Sequence, residues 1–146
     1  MKALVVYDST YSNTEKIAKA IGSGIEGDIK VLRAAEANPA DFTSFDLIVI
    51  GSPTYSGRPM PSVADLMNKI SESVIKGKKV AAFDTRIHTK IVKIFGFAAD
   101  RIAKNLKDKG ANLVVPAEGF FVNGKEGPLK VGEQERASAW AKTLVA

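Results

Sequence analysis

The sequence predicts an α/β domain: a doubly wound, five-stranded parallel sheet in the order 2-1-3-4-5 with helices on both faces. Three observations lead there. Short runs rich in β-branched residues alternate with stretches whose apolar residues recur at helical spacing. The runs are apolar throughout rather than at every second residue, which fits strands covered on both faces. The connections are short, so consecutive elements must fold back onto one another as β-α units.

"KALVVYD" is the first strand; it stops at Asp8, too soon for the long apolar core of a signal peptide. "NTEKIAKAIGSGIE" follows as a helix, with Ile17, Ala18, Ile21 and Ile25 on one face. Ser12, with Glu15 three residues on, has the pattern of a capping box and marks its start. "DIKVLRA" is a second strand, and "FDLIVIGSPTYSG" a third that ends in glycine and a turn-rich loop. Proline opens the helix "PSVADLMNKI". "KKVAAFDT" is the fourth strand. "FGFAADRIAKNLKDKG" places Phe95, Ala98, Ile102 and Leu106 on one helical face, and Gly110 stops it. "NLVVPAEGFFV" is the fifth strand, with Pro116 marking a bulge or an edge. "EQERASAWAKTLV" is the closing helix. The expected order is β-α repeated five times.

With 146 residues, 45% hydrophobic and 25% charged, the chain reads as one domain, 1–146, able to bury a core. No apolar run approaches a membrane span. There is no cysteine, which excludes disulfides, thiol catalysis and thiolate metal sites, and a lone His88 argues against most zinc sites. Cytoplasmic residence is the expectation. The net charge of +5 is uneven: residues 76–109 hold ten Lys or Arg against three Asp. That segment reads as a solvated helix face with turn lysines, or else as a face for an acidic partner. It lacks interleaved aromatics and a helix-turn-helix signature, so no nucleic-acid partner is expected.

In an open α/β sheet, ligands bind beyond the carboxyl ends of the strands, where the winding reverses. Three loops leave strand ends at residues 9–14, 52–61 and 84–90. The first enters a helix N-terminus, whose free N–H groups and dipole favour an anion. Ser9, Thr10, Ser12 and Thr14 add hydroxyls, and no Lys or Arg interrupts them. Neutral donors without a Walker pattern suit a phosphomonoester; the competing reading is a hydroxyl-rich turn with a cap. In the second loop Gly51 permits close approach, Pro53 and Pro59 stiffen the chain, and Tyr55 at the tip offers a flat face for stacking. In the third, Asp84 and Thr85 can hydrogen-bond the polar edge of a ring, and Arg86, His88 and Lys90 make the loop basic. A phosphate, a flat ring and a polar edge together describe a mononucleotide-like ligand such as FMN.

These segments resemble the flavodoxin-like family over essentially the whole chain, in its short-chain type. "STYSNTEKIA" is similar to the family's phosphate loop, "GSPTYSGRP" to its second flavin loop and "FDT" to the start of its third. The resemblance implies one non-covalently bound FMN. Ser9, Thr10, Tyr11, Ser12, Asn13 and Thr14 would hold the phosphate. Ser52, Pro53, Thr54, Tyr55 and Gly57 would flank the isoalloxazine, and Asp84, Thr85 and Arg86 would approach its pyrimidine edge. The chain departs from the pattern in three places: Ser12 stands at the usual glycine, the third loop lacks an aromatic, and the charge is basic.

What the resemblance implies is an electron-transfer protein whose flavin cycles between oxidised, semiquinone and hydroquinone states. It would serve a redox partner protein, acidic if the basic segment docks it, and would act as a carrier rather than a stand-alone enzyme. Arg86 and Lys90 near the ring predict a less negative hydroquinone couple than in acidic flavodoxins. Two alternatives stand beside this reading. One is an FMN-dependent NAD(P)H:quinone-type reductase; the other is an interaction module that has lost FMN. A receiver domain is set aside because Ile50, Gly51 and Ser52 stand where its aspartate belongs, and a low-molecular-weight tyrosine phosphatase for want of cysteine.

Overall fold

The computed structural model describes residues 1–87 and 96–146. Its strands are β1 (Lys2–Tyr7), β2 (Asp28–Arg33), β3 (Leu47–Pro53), β4 (Lys79–Ile87), β5 (Asn112–Leu113) and β6 (Glu118–Val122). Its helices are α1 (Asn13–Ser23), α2 (Pro61–Lys69), the single turn α3 (Glu72–Ile75), α4 (Ala98–Asp108) and α5 (Glu133–Thr143). Every strand pairing is parallel, and the order is β2-β1-β3-β4-β5, with β6 also on β4. The doubly wound sheet expected from the sequence is therefore present.

Two details differ from expectation. The fifth strand is split. Asn112 and Leu113 pair with Lys79 and Val80, then pairing resumes between Glu118 and Phe83. Pro116 lies in the gap, where it has no N–H to give to the ladder. Between β2 and β3 there is no α-helix. Two 3₁₀ turns, Ala34–Glu36 and Pro39–Ser44, carry the chain instead, so the β-α alternation is broken there. These turns still close the core, because Phe42 and Phe45 are buried beneath them.

Successive residues of β1 feed opposite cores, as strand geometry requires. Leu4 and Val6 join Ile48, Ile50, Val80 and Ala82 under α2 and α4. Ala3, Val5 and Tyr7 join Val49, Phe83 and Phe120 under α1 and α5. On that second face Phe83, Phe120 and Trp140 pack edge to face, with centroids 5.9 to 6.4 Å apart. Phe83 lies so close over Gly51 that a Cβ there would fall 2.1 Å from its ring, which is the close approach expected of this glycine. No helix among the described residues is long and apolar enough to cross a membrane. The parallel order brings the ends of β1, β3, β4 and β6 to one edge, where the winding reverses between β1 and β3.

Candidate functional site

The first loop begins at Asp8, which ties three segments together. Its Oδ1 accepts from the Ser9 N–H at 2.8 Å and from Arg33 Nη1 at 3.0 Å. Its Oδ2 accepts from the Ser62 hydroxyl at 2.5 Å, in the first turn of α2. Ser12 then turns the chain into α1 with φ 69° and ψ 0°, a left-handed conformation. Its side chain caps nothing. The capping box expected of Ser12 and Glu15 is therefore not formed. A capping residue has an extended backbone, which brings its oxygen under the helix N–H groups; the left-handed turn carries the Ser12 hydroxyl away. Glu15 goes elsewhere, accepting from Tyr7 Oη at 3.0 Å and pairing with Lys19 at 3.4 Å. The Tyr7 hydrogen bond holds the Glu15 carboxyl below its ordinary value, while burial first and Glu15 second push the Tyr7 phenol up.

The consequence is an open helix end. The first bond of α1 runs from the Lys16 N–H to Ser12 O, at 3.1 Å. The N–H groups of Asn13, Thr14 and Glu15 have no acceptor among the described residues. A left-handed residue followed by helical ones turns successive N–H groups toward one point, a concavity that suits an anion.

The second loop is pinned by Ser52, whose hydroxyl accepts from the Met60 N–H and donates to Pro53 O, both at 2.8 Å. Tyr55 and Arg58 exchange backbone hydrogen bonds of 2.8 and 2.9 Å. Ser56 (φ 49°) and Gly57 (φ 80°) form the two-residue turn between them. The tip is thus Ser56-Gly57, and Tyr55 stands one residue before it. Gly57 is buried, and its carbonyl accepts from Arg101 Nε at 2.8 Å. The Tyr55 and Thr10 hydroxyls meet at 2.6 Å, joining the first loop to the second.

The third loop was expected to begin at Asp84. Instead β4 runs on to Ile87, because β6 pairs with it there, so Asp84, Thr85 and Arg86 are strand residues. The Asp84 side chain has no solvent exposure. Its carboxylate accepts both arms of the Arg86 guanidinium, at 2.7 and 2.8 Å, and the Ala99 N–H at 2.9 Å. Thr54 Oγ1 accepts from the neighbouring Ala98 N–H at 3.0 Å. Residues from two loops therefore cap α4, whose own N-terminal residue Phe97 has no capping side chain. Burial pushes the Asp84 carboxyl up from its ordinary value, and the guanidinium and the Ala99 N–H pull against that. The guanidinium lies 3.5 Å from the Phe97 ring centroid, over Gly119, where a Cβ would fall 2.1 Å from Nε. The Thr85 and Thr14 hydroxyls meet at 2.8 Å, joining the third loop to the first. His88, Lys90 and Phe95 lie outside the described residues.

The three loops surround a cavity of about 60 Å³. Of the expected residues Ser9, Thr10, Tyr11, Asn13, Thr14, Pro53, Thr54, Tyr55, Thr85 and Arg86 line it. Ser12, Ser52, Gly57 and Asp84 do not; they set the loop backbones behind the wall. Ile87, Val122 and Lys125 also line it and were missed. Their signal was the same rule: the segment after β6 also leaves a strand's carboxyl end. The hydroxyls and the acceptor-free N–H groups of Asn13 and Thr14 suit a tetrahedral oxyanion. The donor set therefore fits the phosphate of FMN. No cluster of metal-ligating side chains occurs among the described residues.

The basic segment is largely committed to structure. Lys78 Nζ donates to Thr43 O and Phe45 O, at 3.0 and 2.9 Å, and Lys109 Nζ to Met67 O. Burial pushes the Lys109 ammonium down. Lys104 pairs with Asp108 at 2.7 Å. Lys78 and Lys79 stand at the start of β4, the end opposite the cavity.

With this geometry in hand, comparison with known proteins is informative. The family model described as flavodoxin matches residues 5–140. An uncharacterised protein of Methanocaldococcus jannaschii is 32% identical over 126 residues, which are 86% of this chain and 73% of that one. A flavodoxin of Maridesulfovibrio salexigens is 27% identical over 77% of this chain and 81% of its own. The solved structure of a flavodoxin from the domain Archaea superposes with a TM-score of 0.83 and 24% identity, covering 99% of this chain and 96% of its own; it bears on the fold. The chain belongs to the flavodoxin family, FMN-binding flavoproteins that transfer electrons to redox partner proteins.

Proposed function

We propose that this protein is a carrier of single electrons between proteins, using FMN in three oxidation states. The observation that supports it most is the open first turn of α1. Three backbone N–H groups there have no acceptor among the described residues, and Asn13 and Thr14, which bear two of them, line a cavity rimmed by hydroxyls. Ser9, Thr10, Tyr11, Ser12, Asn13 and Thr14 would hold the phosphate there. Pro53, Thr54 and Tyr55 would lie along the isoalloxazine, with Ser52 and Gly57 fixing their backbone. Thr85 and Arg86 would meet its polar edge, with Asp84 holding Arg86.

FMN supplies the redox chemistry when bound, taking up and releasing one or two electrons. The chain's part is to orient and to exclude water. Hydroxyl contacts between Thr10 and Tyr55 and between Thr14 and Thr85 lock the three loops to one another. Arg58 and Arg101 are exposed on the segments next to the cavity. We place an acidic redox partner on that face, rather than at the far end of β4.

The test is the absorption spectrum of the purified protein before and after addition of FMN and desalting. A retained flavin band is expected; a colourless protein after reconstitution would refute the reading. Steady NAD(P)H oxidation by the reconstituted protein alone would replace the carrier with a reductase.

A further inference from the structure

We propose that Lys125 is the cation that recognises the phosphate of the cofactor and makes this chain select FMN over riboflavin. The inference rests on the FMN reading above and adds a residue outside the three loops. Four observations carry it.

Lys125 lines the same cavity as Thr10, Asn13 and Thr14. The segment that bears it is closed on itself. Asn123 N–H donates to Pro128 O at 2.9 Å, Gly127 N–H to Gly124 O at 3.0 Å, and Val122 bridges Leu129. The turn is also pressed against α1. A Cβ at Gly127 (φ 99°) would fall 2.6 Å from Asn13 Oδ1, so the bare glycine lets the turn sit against the open helix end. Finally, the other cation lining the cavity among the described residues is already engaged. Arg86 gives Nε and Nη2 to the oppositely charged carboxylate of Asp84. Lys125 is exposed and has no ion-pair partner within 4.0 Å among the described residues.

The chemistry follows from charge. A phosphomonoester carries between one and two negative charges at neutral pH. Hydroxyls and N–H groups solvate it, and an ammonium on a flexible stem adds a charge-assisted bond that a neutral ribityl hydroxyl cannot match. Because the lysine is exposed, salt must weaken that contribution.

The experiment titrates FMN and riboflavin separately into the flavin-free protein, following flavin fluorescence at low and at high salt. Wild type, Lys125→Gln and Lys125→Arg are compared. For Lys125→Gln the FMN dissociation constant is expected to rise about tenfold at low salt, as one charge-assisted bond is lost. Riboflavin affinity should stay the same, the salt dependence of FMN binding should flatten, and Lys125→Arg should recover most of the loss. Unchanged FMN affinity in Lys125→Gln would overturn the proposal. So would equal weakening of both flavins, which would mean that the side chain only shapes the cavity. A wild-type protein that binds neither flavin is a different result: it removes the FMN reading itself, and this inference with it.

Discussion

Arg86 grips Asp84 through two parallel hydrogen bonds of 2.7 and 2.8 Å, on a carboxylate with no solvent exposure. The pair stands where a polar ring edge was expected to be read, yet two Arg86 donors are turned on the Asp84 carboxylate. Its field at the cavity is that of a dipole, not of a free cation. Beside the effect on the flavin potential expected of its charge, Arg86 therefore has a structural role. Truncation tests it. Arg86→Ala leaves a buried carboxylate unpaired, and is expected to cost about 3–5 kcal/mol in urea unfolding. Adding Asp84→Asn should return more than half of that loss, since the amide oxygen still accepts from Ala99. Additive losses in the two single variants would show that the pair does not act as a unit.

Ser12 carries the second prediction. Its φ of 69° is a region that L-residues enter at a cost of about 1–2 kcal/mol. Its hydroxyl makes no capping bond to offset that. Ser12→Gly should therefore raise stability by about 0.5–1 kcal/mol, less than the full strain because glycine also frees the unfolded chain. Ser12→Val should lower it, since a branched side chain tolerates this backbone worst. Chemical unfolding of the three proteins decides it; a less stable glycine variant would mean that the hydroxyl holds something in the native loop.

Most of the fold was legible because its central strands β1, β3 and β4 are buried on both sides. Runs such as residues 47–50 are apolar at every position, and a buried parallel strand needs that pattern. The errors have local causes. Ser12 and Glu15 match a capping box in spacing, but spacing says nothing about φ, and Tyr7 offers Glu15 a better partner. The segment between β2 and β3 has no helical period to read, so its 3₁₀ turns were invisible. The lysines of residues 76–109 looked like a charged face. Two of them, Lys78 and Lys109, instead give their ammonium groups to backbone carbonyls. Lys125 was missed because three loops already satisfied the ligand pattern, and the contact between Asn13 and Gly127 that brings it in is tertiary.

Glu133 gives the third prediction, a dependence on pH. It is buried at the first position of α5, near the positive end of the helix dipole. Its Oε2 accepts from the Phe121 N–H and from Arg136 Nη2, both at 2.7 Å, and its Oε1 from Arg136 Nε at 2.9 Å. The same arginine lies over Phe120, 4.5 Å from the centroid, so the carboxylate clamps α5 to β6. The Arg136 hydrogen bond first, and then the Phe121 N–H, hold the Glu133 carboxyl below its ordinary value. The folded state thus prefers the ionised form more than the unfolded chain does. That contribution is complete above the unfolded value of about 4.3 and is lost as pH falls through the lower folded value. In Glu133→Gln the amide nitrogen would face a donor, and the variant should be less stable at pH 7 by about 1–3 kcal/mol. The gap between wild type and variant should narrow steadily below about pH 4, as the wild-type carboxyl takes up its proton. Urea unfolding at pH 7, 5, 4 and 3 checks this. A gap that stayed constant across that range would mean that the loss comes from packing, and that the charge of Glu133 contributes nothing to the clamp.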